Sequence, residues 1–215
     1  MASCAIIPTF CDLGVAAPHM SAEYKLSSII DPAFPEVKII EPRRFEDARG
    51  LFMETYSRSA LAAEGITSEF VQDNHSRSNF AGTIRGLHFQ VPPFAQAKLV
   101  RCSAGRVFDV AVDIRRGSPS YGRHVAVELS AANGRQLFIP AGFAHGLATL
   151  EPGTEVQYKV SADYSPTHDA GIFWNDPALA IPWPVDPAAA VLSDKDRKLP
   201  TLSGFTSPFE HHGPM

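Results

Sequence analysis

Between Glu69 and Val160 the chain alternates apolar and polar residues in short runs, and each run breaks at glycine, proline or asparagine. That pattern restricts it to antiparallel β-structure. In residues 106–114, RVFDVAVDI, the side chains of Phe108, Val110, Val112 and Ile114 share one face, while Asp109, Ala111 and Asp113 take the other. A period of two residues predicts a half-buried strand. HVAVEL repeats it through Val125, Val127 and Leu129, and Ala132-Asn133-Gly134 then leads into QLFIP. Asn-Gly between alternating runs predicts a hairpin. TEVQYKV, after Pro152-Gly153, predicts a further strand. RSALAAEGI, at 58–66, predicts a short helix stopped by Gly65. The proline-rich chain from Ser165 onward predicts irregular segments and a short helix wrapped around the strands. The fold class is therefore all-β, an antiparallel sandwich or barrel with a few short helices, and 215 residues suit a single core.

Charge narrows the partners. A net charge of −4 argues against general nucleic-acid binding. The bases nevertheless cluster: from Ser76 to Gln136 there are nine, against the three acids Asp109, Asp113 and Glu128. A sheet could gather part of that charge in a cleft for an anionic ligand, or leave it as an ordinary solvated face. No apolar run has the length of a membrane span. The first twenty residues lack the basic start and unbroken apolar stretch of a secretory signal. Cys4, Cys11 and Cys102 are too few for a disulfide framework and contain no zinc-type pair. These features lead to the expectation of a reducing, cytoplasmic compartment without a membrane partner.

Histidine chemistry is the sharper clue. Residues 140–145, PAGFAH, have the form P-x-G-x-x-H and resemble the second motif of cupins, in which a turn delivers a histidine into the mouth of a barrel. Metal-binding cupins supply H-x-H and a glutamate from the first motif. The matching stretch here is GTIRGLHFQ, with His88 and then Gln90 in place of a second histidine, and no glutamate follows. Two histidines and an amide fall short of the three or four ligands of a firm transition-metal site, so no metal is expected. His88 lies between Arg85 and Gln90 in a polar, glycine-flanked segment, company that favours a site over a packing role.

Six blocks in order then resemble one family. They are EPRRFEDARGLFMETY, VQDNHSRSNFAGTIRGLHFQ, AQAKLVRCSAGRVFDVAVDIRRGSPSYG, RQLFIPAGFAHGLATL, QYKVSADYSPTHDAGIFWNDPALAIPWP and LSDKDRKLPTL. Together they are similar to dTDP-4-dehydrorhamnose 3,5-epimerase from about Val37 to Leu202. The resemblance implies a jelly-roll (cupin-type) domain over 37–202, between an N-terminal arm, 1–36, and a C-terminal tail, 203–215. It implies a homodimer without cofactor that inverts C3 and C5 of dTDP-4-dehydro-6-deoxy-D-glucose, a step of dTDP-L-rhamnose biosynthesis. It also implies roles. His88 is the base, Asp196 the carboxylate that orients it, Tyr158 the acid on the other face of the sugar, and Lys98 the group beside the ketone. Arg49, Glu54, Gln72, Asp73, Asn74, Arg85, His145, Tyr164, Asp169 and Lys195 bind the nucleotide and sugar, with Tyr164 stacked on thymine. At Asp169 the family usually has glutamate, one methylene longer.

The residue types suit that chemistry without the name. Removing a proton next to a ketone creates an enolate, and a fixed cation near its oxygen stabilises the charge as it develops. Histidine can be neutral and accept a proton at working pH, while arginines pair with a diphosphate. By spacing alone, though, Tyr158 reads as core packing, Asp196 as a loop acid or helix cap, Lys98 as a strand-edge charge, and Arg49 with Asp47 as a turn before Gly50. Three other readings are a single-carbon epimerase of a related nucleotide-linked 4-keto sugar, a sugar-nucleotide-binding cupin without turnover, and a metal-dependent cupin, which Gln90 disfavours.

Overall fold

The structure, a computed structural model, describes residues 34–211 and Gly213. In chain order the strands are β1 (Lys38–Ile40), β2 (Arg44–Asp47), β3 (Gly50–Met53), β4 (Gln72–Ser78), β5 (Ile84–Gln90), β6 (Lys98–Ala104), β7 (Arg106–Asp113), β8 (His124–Ser130), β9 (Gln136–Ile139), β10 (Phe143–Thr149), β11 (Thr154–Val160) and β12 (Asp169–Gly171). One five-stranded sheet has the order β1-β9-β6-β11-β4 and the other β12-β5-β10-β7-β8, with β2 and β3 paired apart. All these pairings are antiparallel. From β4 to β12 the chain changes sheet at every step except β7 to β8, the winding of a jelly-roll sandwich.

The expected helix is α1, Arg58–Ala63, started by the Ser57 side chain, which accepts from the Ala60 N–H. Gly65 follows with φ +77°, a left-handed conformation that suits a helix stop. Leu61 and Ile66 pack on Ile40, Leu99 and Phe138, covering the outer face of the first sheet. Between the sheets, Val100, Leu137 and Val156 meet Val107, Ala111, Leu129, Phe143 and Leu147 in one core.

Two expectations from the alternation pattern need correction. Strand β7 has the predicted period, but it is not half-buried. Its Val110–Val112 face points out of the sandwich and is covered by Ile172, Leu179 and other parts of the chain beyond β12. Its inward face carries Asp109 and Asp113, both fully buried. The strand looked amphipathic because its polar residues have partners inside the protein instead of water. Asp113 accepts from Arg115 (backbone N 2.9 Å, Nη2 2.8 Å), Ser118 Oγ (2.6 Å) and Ser120 Oγ (2.7 Å).

The Asn-Gly turn makes no hairpin. Strand β8 lies at the edge of one sheet and β9 inside the other, so the turn is a crossover between sheets. A type I′ hairpin needs positive φ at both central residues. Gly134 has φ +65°, but among the described non-glycine residues only Ala180 is positive. Asn133 instead uses its side chain, with Oδ1 accepting from the N–H groups of Ser130 and Arg135.

The ends of the described chain are packed. Phe34, 2% exposed, lies edge-on to Phe143, and Glu36 pairs with Arg115 at 3.1 Å. The rest of the stretch read as an arm lies outside the described residues, as do Cys4 and Cys11. Cys102 is a free, buried thiol. Beyond β12 the chain forms three short 3₁₀ turns, Pro177–Leu179, Asp196–Lys198 and Leu202–Gly204. Residues 203–211 do not trail away, since Phe205 and Phe209 pack on Phe89, with ring centroids 5.1 and 6.1 Å away.

Candidate active site

Two glycines shape the strand pair that carries the histidines. A Cβ on Gly86 would stand 2.5 Å from the Gly146 Cα, and a Cβ on Gly146 would stand 2.9 Å from the Arg85 carbonyl oxygen. Only glycine at both positions lets β5 and β10 approach this closely. A register irregularity falls between His145 and Leu147, and His88 and His145 lie directly opposite each other. Both line a cavity of about 490 Å³ between the sheets, together with Arg85, Lys98, Tyr158 and Asp196.

His88 Nε2 is 2.5 Å from Asp196 Oδ1. With Nε2–H donating to the carboxylate, Nδ1 is left as the basic nitrogen. Asp196 comes from the 3₁₀ turn that packs on β5 and is 3% exposed. Burial alone would raise its pKa, but the His88 hydrogen bond and charge, aided by Ser193, hold it below the ordinary carboxylate value. Ser193 Oγ also accepts from the Asp196 N–H at 3.1 Å, which fixes the turn. His145 has its own carboxylate, with Nε2 at 3.1 and 3.0 Å from the two oxygens of Asp109.

The opposite wall belongs to the other sheet. Lys98 on β6 is 7% exposed, and its Nζ donates to the His88 carbonyl at 3.3 Å. Burial pushes its pKa down to about 8, against the attraction of Asp109 and Asp169. Tyr158 on β11 packs against the central core and also reaches the cavity, so the packing and site readings of this residue are both realised. Burial raises the pKa of its hydroxyl, Arg85 opposes that, and the Asp169 charge adds to it. Arg85 is held by Ser78 Oγ and the Arg77 carbonyl, each at 3.2 Å.

A second compartment of about 270 Å³ shares His88, Lys98, Tyr158 and Lys195 with the first and adds Gln72, Asn74, Tyr164 and Asp169. Tyr164 is 57% exposed, and its hydroxyl donates to Asp169 at 3.0 Å. The same carboxylate pairs with Lys195. The shorter Asp169 thus still joins a tyrosine and a lysine at the rim.

Three of the expected residues are not in this cleft. Strand alternation turns Asp73 to the opposite face of its sheet, where it pairs with Lys159 at 2.8 Å. Arg49, with its side chain 90% exposed, pairs with Asp47 across the β2–β3 turn, and neither it nor Glu54 lines either compartment. The cluster of bases only partly serves the cleft. Arg85 and Lys98 line it, while Arg106, Arg115, Arg116 and Arg135 pair with acids elsewhere. Asp109, Ser193 and Gln90 were missed as site residues. A carboxylate inside an apolar strand was a visible signal for Asp109, but nothing in the sequence linked it to a histidine 36 positions away.

Among the described residues no three His, Cys, Asp or Glu side chains converge on a point. The Gln90 amide, where metal cupins have a histidine, is 3% exposed and bonded to the Phe94 and Asp163 carbonyls and the Ser165 N–H.

A family model described as dTDP-4-dehydrorhamnose 3,5-epimerase matches residues 31–204. The enzyme of that name from Sinorhizobium fredii is 51% identical over 176 residues, which cover 82% of this chain and 90% of the relative. The crystal structure of dTDP-4-dehydrorhamnose 3,5-epimerase from Bacillus anthracis, with TDP and PPi bound, shares 50% identity at a TM-score of 0.79, covering 83% of this chain and 99% of that one. The dTDP-6-deoxy-D-glucose-3,5-epimerase from Legionella pneumophila, in complex with dTDP-4-keto-L-rhamnose, shares 42% identity at a TM-score of 0.81, covering 88% and 100%.

Proposed function

The chain belongs to the dTDP-4-dehydrorhamnose 3,5-epimerase family, and we propose that it inverts C3 and C5 of dTDP-4-dehydro-6-deoxy-D-glucose, giving dTDP-4-dehydro-L-rhamnose for dTDP-L-rhamnose synthesis. The observation that carries the mechanism is that a histidine–carboxylate pair and a tyrosine stand on opposite sheets and face one cavity. Inversion requires a proton to leave one face of the sugar and return to the other. Both C3 and C5 are α to the C4 ketone, so one enolate chemistry serves both. His88 Nδ1 takes the proton, and Asp196 stabilises the imidazolium that forms. Lys98, cationic below about pH 8, stabilises charge on the enolate oxygen. Tyr158, whose raised pKa keeps the hydroxyl protonated, returns a proton to the opposite face.

Arg85 and His145 hold the sugar and diphosphate side, while Gln72, Asn74, Tyr164, Asp169 and Lys195 serve the nucleotide in the second compartment. No metal or organic cofactor takes part in this reading. Residue chemistry supports that, because the Gln90 amide, in the place of a metal-binding histidine, is fully engaged with backbone groups. We assign a homodimer in the cytoplasm. The β2–β3 hairpin leaves Leu51 and Phe52 exposed beside Arg49, surface of the kind that a second copy covers. Among the described residues no helix is long and apolar enough to cross a membrane.

Separating base from acid tests the mechanism. His88→Ala should abolish both epimerisation and exchange of the substrate's α hydrogens with deuterated solvent. Tyr158→Phe should slow epimerisation by about 10²–10⁴-fold and spare exchange, since His88 can still take a proton and return a deuteron to the same face. Equal loss of both in Tyr158→Phe, or exchange surviving in His88→Ala, would show that the roles are misassigned.

A further inference from the structure

The residue that stands in place of a metal-binding histidine has a positive use. Gln90 lies two residues after His88 on β5, so strand alternation sends both side chains into the sandwich. Its Nε2 donates to the carbonyls of Phe94 (2.8 Å) and Asp163 (3.1 Å), and its Oε1 accepts from the Ser165 N–H (2.7 Å). The last two bonds bracket Tyr164, the exposed ring at the rim of the second compartment. Two further glutamines hold the same segment. Gln72 Oε1 accepts from the Tyr164 N–H at 3.0 Å, and Gln96 Nε2 donates to the Ala162 carbonyl at 2.7 Å. All three line the second compartment, but only Gln90 grips the segment on both sides of the ring, and only Gln90 comes from the strand that carries the base.

We propose that Gln90 is a positioning residue for nucleotide recognition. Its amide sets the place of Tyr164 through the backbone of Asp163 and Ser165, so affinity for the nucleoside diphosphate half depends on it while the proton-transfer step does not. This rests on Tyr164 contacting the base, as assigned above. A buried amide that only stabilised the fold would lower the melting temperature and leave KM alone. One that shaped the catalytic strand would lower kcat.

Gln90→Met keeps length and approximate volume and removes three hydrogen bonds, leaving two carbonyls and an N–H without their partner. Steady-state kinetics and calorimetric titration with thymidine diphosphate, on the full chain, separate the outcomes. Gln90→Met should raise KM and the thymidine diphosphate Kd by about 10–100-fold, the scale of losing one aromatic ring stacked on a nucleobase, with kcat within about threefold. Gln90→Met/Tyr164→Ala should bind no more than about threefold weaker than Tyr164→Ala alone, because residues acting through one another are not additive. If Gln90→Met does not fold, Gln90→Glu, which keeps the acceptor for Ser165 and loses both donors, should show the same split. The proposal is overturned if kcat falls at constant KM, or if Gln90→Met and Gln90→Glu bind thymidine diphosphate normally while Tyr164→Ala does not. Unchanged binding in Tyr164→Ala overturns it too, but through the base assignment, and that variant identifies which premise failed.

Discussion

Replacing Asp196 with asparagine changes one oxygen to an amide nitrogen at a site that is 3% exposed and 2.5 Å from His88. In the resting enzyme it weakens a charge-assisted hydrogen bond, a contribution of about 1.5–3 kcal/mol. Once His88 has taken a proton the loss is larger, because the imidazolium no longer faces a carboxylate. Unit charges about 4 Å apart at an effective dielectric constant near 20 attract by about 4 kcal/mol, which corresponds to roughly three powers of ten in rate. The asparagine oxygen can still accept from Nε2–H, or its amide can face the ring and favour the wrong tautomer, so kcat should fall by about 10²–10⁴-fold. KM should move little, since Asp196 acts on the ligand through the imidazole. Epimerisation and α-hydrogen exchange should fall in parallel, both being downstream of proton removal. NMR rates on a variant with a native circular dichroism spectrum provide the assay. A kcat within threefold of the parent, or a loss confined to KM, would refute the argument. The acid limb of stability carries the same signature. Because the Asp196 pKa is depressed by folding, its carboxylate stabilises the native state above the ordinary aspartate value and loses that contribution as pH falls through the folded value. The asparagine variant should lack that part of the acid-side decline.

Lys98, with its pKa lowered to about 8, should give kcat/KM an alkaline limb near that pH, where the cation is lost. Lys98→Arg should move the limb upward in a pH–rate series, because guanidinium stays charged. Exhaustive EDTA treatment should leave turnover unchanged, and activity lost and then restored by one divalent ion would contradict the cofactor-free reading. Phe34→Ala should destabilise the fold by about 3–5 kcal/mol in urea unfolding, the usual cost of removing a buried phenylalanine. A change below about 1 kcal/mol would show that the packed domain does not need this part of the chain.

The legible parts of this fold were those written in local chemistry. Short alternating runs identified β7, β8 and β11 as strands, and Gly65 ended the helix α1 as its residue type suggests. Which sheet each strand joins was not legible. Asn133-Gly134 encodes a chain reversal, and those residue types suit a hairpin or a crossover alike. The polar face of β7 was likewise read against water, whereas Asp109 and Asp113 meet His145, Arg115 and two serines brought from elsewhere. The candidate site follows the same division. His88 was conspicuous among glycines and polar neighbours, but its carboxylate lies 108 positions away. No periodicity spans that distance, and only the family resemblance pointed to Asp196. Gln90 was visible as a missing metal ligand. What it binds instead became apparent only with the 161–165 segment in place.

Double inversion is the central claim, and deuterium reports it directly. Incubating dTDP-4-dehydro-6-deoxy-D-glucose with the enzyme in deuterated water, and following the sugar by proton NMR, distinguishes the carbons. The account predicts that the C3 and C5 proton signals both disappear as the L-configured product forms. Label at one carbon alone would contradict it in favour of a single-carbon epimerase, and label at neither would remove the epimerase reading altogether.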